Sequence, residues 1–226
     1  LEASLFDAIK NFVADLANGD KQSGGLANPD LRLATAALVV HAAGICRHKS
    51  HHRRGRLRSR VRRSHPDGAV GGRVVSRAPV ALILHSHPQA GGTMNNKLVQ
   101  LLYQTFVKRG FATLRFNFRG VGKSQGVFDN GIGELSDAAS ALDWVQSIHP
   151  EAETTWVAGV SFGAWIGMQL LMRRPEIRGF ISIAPPANMY DFSFLAPCPS
   201  SGIIIQGEAD EVVTPSAVQK LVDKLR

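Results

Sequence analysis

From residue 72 onward, short apolar runs rich in β-branched residues alternate with longer stretches whose apolar positions recur at helical spacing. Arg73 to Val75 reads as a weak strand. Val80 to His85 (V-A-L-I-L-H) reads as a strong one, apolar almost throughout, as a strand covered on both faces should be. Asn95 can cap a helix with Leu98, Leu101, Leu102 and Phe106 on one face, closed by Gly110. A strand at Phe111 to Asn117 follows, then a Gly-rich turn from Arg119 to Gly126, a helix over Glu134 to Ser147 and a strand at Thr155 to Gly159. A helix from Phe162 to about Arg173 precedes strands at Phe180 to Ala184 and Gly202 to Gln206. Ser216 then caps a last helix carrying Val218, Leu221, Val222 and Leu225. The alternation predicts an α/β fold, with a mostly parallel, doubly wound sheet whose ligands bind at the carboxyl ends of its strands.

The first 45 residues follow another pattern. Leu5, Ile9, Phe12, Val13 and Leu16 recur at helical spacing before Gly19, and Asn28-Pro29-Asp30 opens a second predicted helix from Leu31 to about Ala43. Two short amphipathic helices are all that this piece offers.

Charge separates the two regions. The chain carries a net +8, yet Cys46 to Arg77 alone holds 11 Lys and Arg against Asp67, so that stretch is +10 and the remainder −2. Arg47 to Arg63 has two apolar residues and no acid, so it cannot bury a core, and disorder is expected for the linker over residues 46–71. Nine cations in this run could neutralise phosphates of a nucleic acid. No aromatic interleaves them to stack on bases, and a nucleic-acid partner is not the favoured reading. A solvated linker is the plainer reading. The abrupt change of composition on both sides favours a join between two unrelated coding pieces. The expected domains are thus a helical piece over residues 1–45, the basic linker, and an α/β unit over residues 72–226.

No apolar run reaches the roughly 20 residues of a spanning helix; the longest, Leu33 to Ile45, contains His41. Leu1 to Lys10 carries Glu2 and Asp7 rather than the basic-then-apolar pattern of a secretion signal, so the cytoplasm is the expected compartment, with no membrane association. Cys46 and Cys198 are far apart and outside any C-x-x-C arrangement, and both read as thiols.

The chemistry-bearing residues cluster at predicted strand ends. Gly159-Val160-Ser161-Phe162-Gly163 places G-x-S-x-G between a strand and a helix. So tight a turn needs small residues two before and two after the serine, hence Gly159 and Gly163. It lifts the Ser161 hydroxyl above the sheet and sets the Phe162 N–H near a developing oxyanion. The turn after the strong strand, His85 to Asn96, lies where a second oxyanion donor belongs. Pro88 has no N–H, so the His87 amide is the first candidate and the Gln89 amide the second. His85 and His87 suggest a metal site only weakly, for want of a third ligand, and no metal or other cofactor is expected. Gly120-Val121-Gly122-Lys123-Ser124 imitates a phosphate loop but has Asn117 where its first glycine belongs, which argues against nucleotide binding. Asp210, ahead of Glu208 and Glu211, is the acid placed to orient a catalytic histidine on the rim that carries Ser161.

The motifs H-x-H-P-x-x-G-G-T-M-N-N, L-R-F-N-F-R-G-V-G-K-S-Q-G, G-V-S-F-G-A-W and G-E-A-D-E-V-V, in this order from about Ala78 to Arg226, resemble the α/β-hydrolase superfamily, in particular its bacterial dienelactone-hydrolase-like and esterase-like members. The resemblance implies a serine hydrolase for a small-molecule carboxylic ester or related acyl substrate, with Ser161 as nucleophile, Asp210 as triad acid and a turn near His87 in the oxyanion hole. In that superfamily the catalytic histidine follows the acid after one further strand. Here no histidine follows His149 and the sequence stops at Arg226. The expectation is a C-terminally incomplete hydrolase, weak or inactive, with the Gly202 to Gln206 strand left as an exposed edge prone to self-association. His85 and His87 should lie on the oxyanion side and His149 away from the site, so neither should substitute. The N-terminal S-L-F-D-A-I-K-N-F-V-A-D-L and L-R-L-A-T-A-A-L-V-V-H-A-A resemble the opening of TerB-like tellurite-resistance helical proteins, whose further helices and acidic residues do not follow here, and no functional residue is carried over. A nucleic-acid-associated protein acting through Arg47 to Arg63 and a helical stress-response module are the alternative readings.

Overall fold

The structure, a computed structural model, describes residues 31–35, 77–195 and 197–225. Six parallel strands form one sheet in the order β1-β6-β5-β4-β2-β3: β1 Leu31–Thr35, β2 Val80–Leu84, β3 Ala112–Arg115, β4 Thr155–Val160, β5 Ile177–Ile183 and β6 Ser201–Gln206. Helices α1 (Lys97–Lys108), α2 (Ile132–Ile148), α3 (Phe162–Arg173) and α4 (Pro215–Lys224) flank it. The doubly wound α/β architecture is as the sequence predicts, with boundaries shifted by a few residues at several ends.

The alternation of β2 explains its unbroken apolar sequence. Ala81 and Ile83 pack with Leu98, Val99, Leu102 and Phe106 of α1 on one face. Val80, Leu82 and Leu84 face the other side, in the cluster that holds Leu135 and Leu142 of α2 and Phe162 and Ile166 of α3. Side chains of neighbouring residues point to opposite faces, so only a strand with helices on both sides needs apolar residues at every position.

One prediction fails outright. Leu31–Thr35 is not the start of a helix but the edge strand β1, in parallel register with β6 from Leu31 opposite Gly202 to Thr35 opposite Gln206. The physical reason is that the outer edge of β6 is a row of unpaired backbone donors and acceptors, which a short extended segment satisfies. Five residues of L-R-L-A-T alternate too briefly to exclude either period. The expectation that β6 would be an open edge is corrected for the same reason. The first predicted helix, the strand at Arg73 to Val75 and the basic linker lie outside the described residues.

The loop from β3 to α2 is anchored from beneath. Arg119, buried, donates from Nε and Nη2 to the two oxygens of buried Asp137, at 2.9 and 2.8 Å, and its backbone N–H adds a third bond to the same carboxylate. Glu134, fully buried, accepts from the amides of Asp129 and Gly131 at 3.0 and 2.8 Å and so caps α2. Both the guanidinium and the two carboxylates are therefore satisfied inside the protein. Asp137→Ala should lower the unfolding free energy by about 3–5 kcal/mol, because it leaves a buried cation without its main partner. Urea denaturation checks this against exposed Asp223→Ala, which should change stability by less than about 0.5 kcal/mol.

Candidate active site

The strand β4 runs directly into Ser161, whose backbone sits at φ 50° and ψ −117°. L residues avoid this region, at a cost of about 1–3 kcal/mol, and keep it only where their surroundings leave no alternative. The surroundings here are specific. Ser161 donates its N–H to the Ile183 carbonyl of β5 at 2.8 Å and accepts at its own carbonyl from the amides of Ala164 and Trp165, at 2.8 and 3.3 Å. A Cβ on Gly159 would lie 2.3 Å from the Gly163 carbonyl oxygen, and one on Gly163 would lie 2.1 Å from the His85 carbonyl oxygen. No methyl fits at either position, so the bend can close only with glycines there. The half-buried serine thus stands at the carboxyl end of the sheet's middle strands, with α3 starting at Phe162 behind it. Amides in a helix's first turn have no acceptor within the helix and lie at the positive end of its dipole, which leaves the Phe162 N–H as a candidate oxyanion donor.

His87 follows β2 on one side of Ser161. Its ring Nδ1 accepts from the Gln89 N–H at 3.2 Å, and its carbonyl accepts from the amides of Ala90 and Gly92. The Gln89 amide is therefore turned towards the His87 ring, which leaves the His87 amide as the candidate second donor. Burial lowers the His87 ring below the usual histidine range, against a smaller opposing pull from Glu134. His85 is structural. Its Nε2 accepts from the Phe118 N–H at 3.1 Å and its Nδ1 meets the Ser86 carbonyl, so the proton rests on Nδ1 and both nitrogens are occupied. Burial holds the ring neutral, well below the usual histidine range. Among the described residues no group of three His, Cys, Asp or Glu could hold a metal ion. Cys198 is a buried free thiol, and Cys46 lies outside the described residues.

Asp210 stands on the other side, in the turn after β6. Its Oδ1 accepts from the amides of Val212 and Val213, both at 2.9 Å, and its Oδ2 from Gln206 Nε2 at 3.2 Å. Gln206, 1% exposed, also donates to the Val213 carbonyl at 2.8 Å. These bonds fix the amide's orientation, since a flipped one would face oxygens with an oxygen. Sequence reasoning missed Gln206. The available signal was a glutamine ending the otherwise apolar run G-I-I-I-Q, because a buried polar side chain is there to bond something.

The strand order sets the relation of these groups. Ser161 and Asp210 follow β4 and β6, with β5 between them, so two strand spacings of about 4.8 Å separate their backbones. That is too far for direct contact and leaves room for an imidazole. His85 and His87 follow β2, on the far side of β4 from Asp210. His149 ends α2 ahead of β4, at the amino ends of the strands. None of these three stands between the serine and the acid.

Comparison with known proteins gives the family and the fold. Residues 44–222 match the family of X-Pro dipeptidyl-peptidase (S15 family). An uncharacterized protein of Rickettsia prowazekii is 53% identical over 167 residues, which span 71% of this chain and 70% of that one. A protein of unknown function from Agrobacterium tumefaciens, assigned to the α/β-hydrolases, is 64% identical with a TM-score of 0.68, covering 73% of this chain and 72% of its own. An α/β serine hydrolase homologue from Coxiella burnetii is 38% identical with a TM-score of 0.65, covering 74% and 76%. A lidless serine hydrolase from Xanthomonas campestris is 37% identical with a TM-score of 0.60, covering 74% and 72%. The chain belongs to this S15-like family of the α/β-hydrolases, and at that level it is a hydrolase. Among the described residues no helix is long and apolar enough to cross a membrane.

The neutral His85 gives a pH dependence of known sign. Its folded pKa lies below the unfolded value of about 6.5, so between the two the unfolded chain takes up a proton that the folded chain refuses. Stability is full above pH 6.5 and falls as the pH drops through that value. Denaturation at pH 7.5 and pH 5.5 should show the loss, and His85→Gln should shrink the difference between the two.

Proposed function

We propose that this chain is a serine hydrolase of carboxylic esters or related acyl bonds. The observation that carries the reading is the strained Ser161 backbone, kept by two glycines that have no room for a methyl and backed by the first turn of α3. In the proposed reaction the Ser161 hydroxyl attacks the ester carbonyl. The developing oxyanion is met by the amides of Phe162 and His87, solvent water takes the serine proton and returns one to the leaving alcohol, and Asp210 stands where it would orient an imidazole base. Water then repeats the sequence on the acyl-enzyme. The buried Gln206 and the Val212 and Val213 amides hold the Asp210 carboxylate still for that purpose.

The described histidines do not stand between Ser161 and Asp210, so we propose that residues 1–226 turn over esters slowly, through the oxyanion site without an aligned base. Removal of one triad member leaves on the order of 10³ to 10⁴-fold acceleration over water. The substrate is a small molecule in this reading. A second reading, cleavage of X-Pro dipeptides from peptides, is favoured by the description of the matching family.

The test is turnover of p-nitrophenyl acetate beside alanyl-prolyl-p-nitroanilide. Ester hydrolysis about 10³-fold above buffer, with an acetyl group trapped on Ser161 that is absent in Ser161→Ala and with no anilide release, is expected. No acetyl-Ser161 by peptide mapping, or release from the anilide but not the ester, contradicts the reading.

A further inference from the structure

Resting on the ester reading, we infer that the site takes a flat aromatic acyl group, and that Trp165, Tyr190, Phe128 and His87 form the subsite which recognises it. Phe162, immediately after the nucleophile and buried, is the hub. Its ring centroid lies 5.2 Å from that of His87, 5.7 Å from Phe128 and Trp165, and 5.9 Å from Tyr190. The outer four arrive from four segments, the turn after β2, the loop after β3, α3 itself and the loop after β5, and every one of them is half-buried. A ring in the middle of a core would be covered on all sides. These four keep part of their surface exposed, and the ring they surround belongs to the residue next to Ser161.

The rings are held rather than loose. Trp165 and Tyr190 stack at 4.3 Å with 30° between their planes, and the indole N–H donates to the Asp191 carbonyl at 3.0 Å. His87 lies 4.6 Å from Phe128, and its ring is oriented by the Gln89 amide. Pinned aromatic surfaces recognise another aromatic ring at little cost in side-chain ordering, in the same offset or edge-to-face arrangements that they already make with one another.

Charge narrows the ligand further. Arg119 is committed to Asp137, Glu134 caps α2, and the Asp191 carboxylate accepts from both the N–H and the hydroxyl of Ser193, at 2.8 and 2.7 Å. The ionised groups near the rings thus already have partners within the protein. A neutral aromatic ester loses nothing on entering such a place, whereas the free ammonium of a peptide N-terminus would have to compete for a carboxylate. Tyr190 adds no charge, since burial raises its hydroxyl above the ordinary tyrosine value.

The experiment is equilibrium binding to full-length Ser161→Ala, by titration calorimetry, of methyl 2-naphthoate and methyl octanoate, neutral esters of similar apolar size. The naphthoate should bind about tenfold more tightly. Tyr190→Leu should bring the two affinities within about twofold of each other while circular dichroism shows the fold intact. Trp165→Leu serves the same purpose should the tyrosine variant not fold. Equal affinities in Ser161→Ala itself, or a preference unchanged in both leucine variants, overturns the inference. Turnover of p-nitrophenyl acetate by the wild-type chain separates this from the reading beneath it. Naphthoate preference without ester turnover retains the aromatic site and removes the hydrolase mechanism; turnover without preference does the reverse.

Discussion

The bend that joins β4 to α3 depends on atoms that are missing. Gly159 and Gly163 come so close to the backbone of the elbow and of β2 that a single added carbon at either would overlap a carbonyl oxygen. Because that space is empty, the chain can turn within two residues and hold Ser161 at a positive φ that it would otherwise leave. The strain is balanced by what the turn gains elsewhere, namely the Ser161 amide bonded to β5 and a helix whose first residue is Phe162. Ser161, the Phe162 amide and the Phe162 ring are therefore fixed together by one backbone constraint.

Around that constraint the fold distributes labour by strand end. β2 contributes the His85 to His87 turn, where His85 is used up as an internal tie to Phe118 and His87 shapes the loop through its ring. β5 contributes the Ile183 carbonyl that steadies the serine. β6 contributes Gln206, whose amide joins the Asp210 carboxylate to the Val213 carbonyl and so turns a mobile loop chemistry into a fixed one. The buried Arg119–Asp137 pair does the equivalent work for the loop that carries Phe128. The turns after β2, β3 and β6 are each held by at least one buried polar contact, since loops without packed cores have few other means of keeping a geometry.

Much of this was legible in the residues. The apolar run V-A-L-I-L could only be a strand covered on both faces, and G-V-S-F-G between a strand and a helix requires a tight turn whatever the chemistry. Strand order was not legible beyond its class, although the expectation that His85 and His87 lie away from Asp210 agrees with their place across β4 from it. The part played by Gln206 was hidden because a lone glutamine carries no periodic signal. Leu31–Thr35 misled because helix-start residues precede it, while its conformation is decided by a partner edge far along the chain. Non-local pairing of that kind overrides local propensity and leaves no mark in a short window.

In the proposed function Ser161 is a hydroxyl held out for acyl and phosphoryl electrophiles in front of backbone amides. Exposure of the intact chain to a fluorophosphonate, followed by peptide mapping in a mass spectrometer, examines that most directly. A single adduct on the peptide bearing Ser161, absent after Ser161→Ala, is the predicted result. An unmodified Ser161, or an adduct on some other serine that survives the substitution, would contradict it.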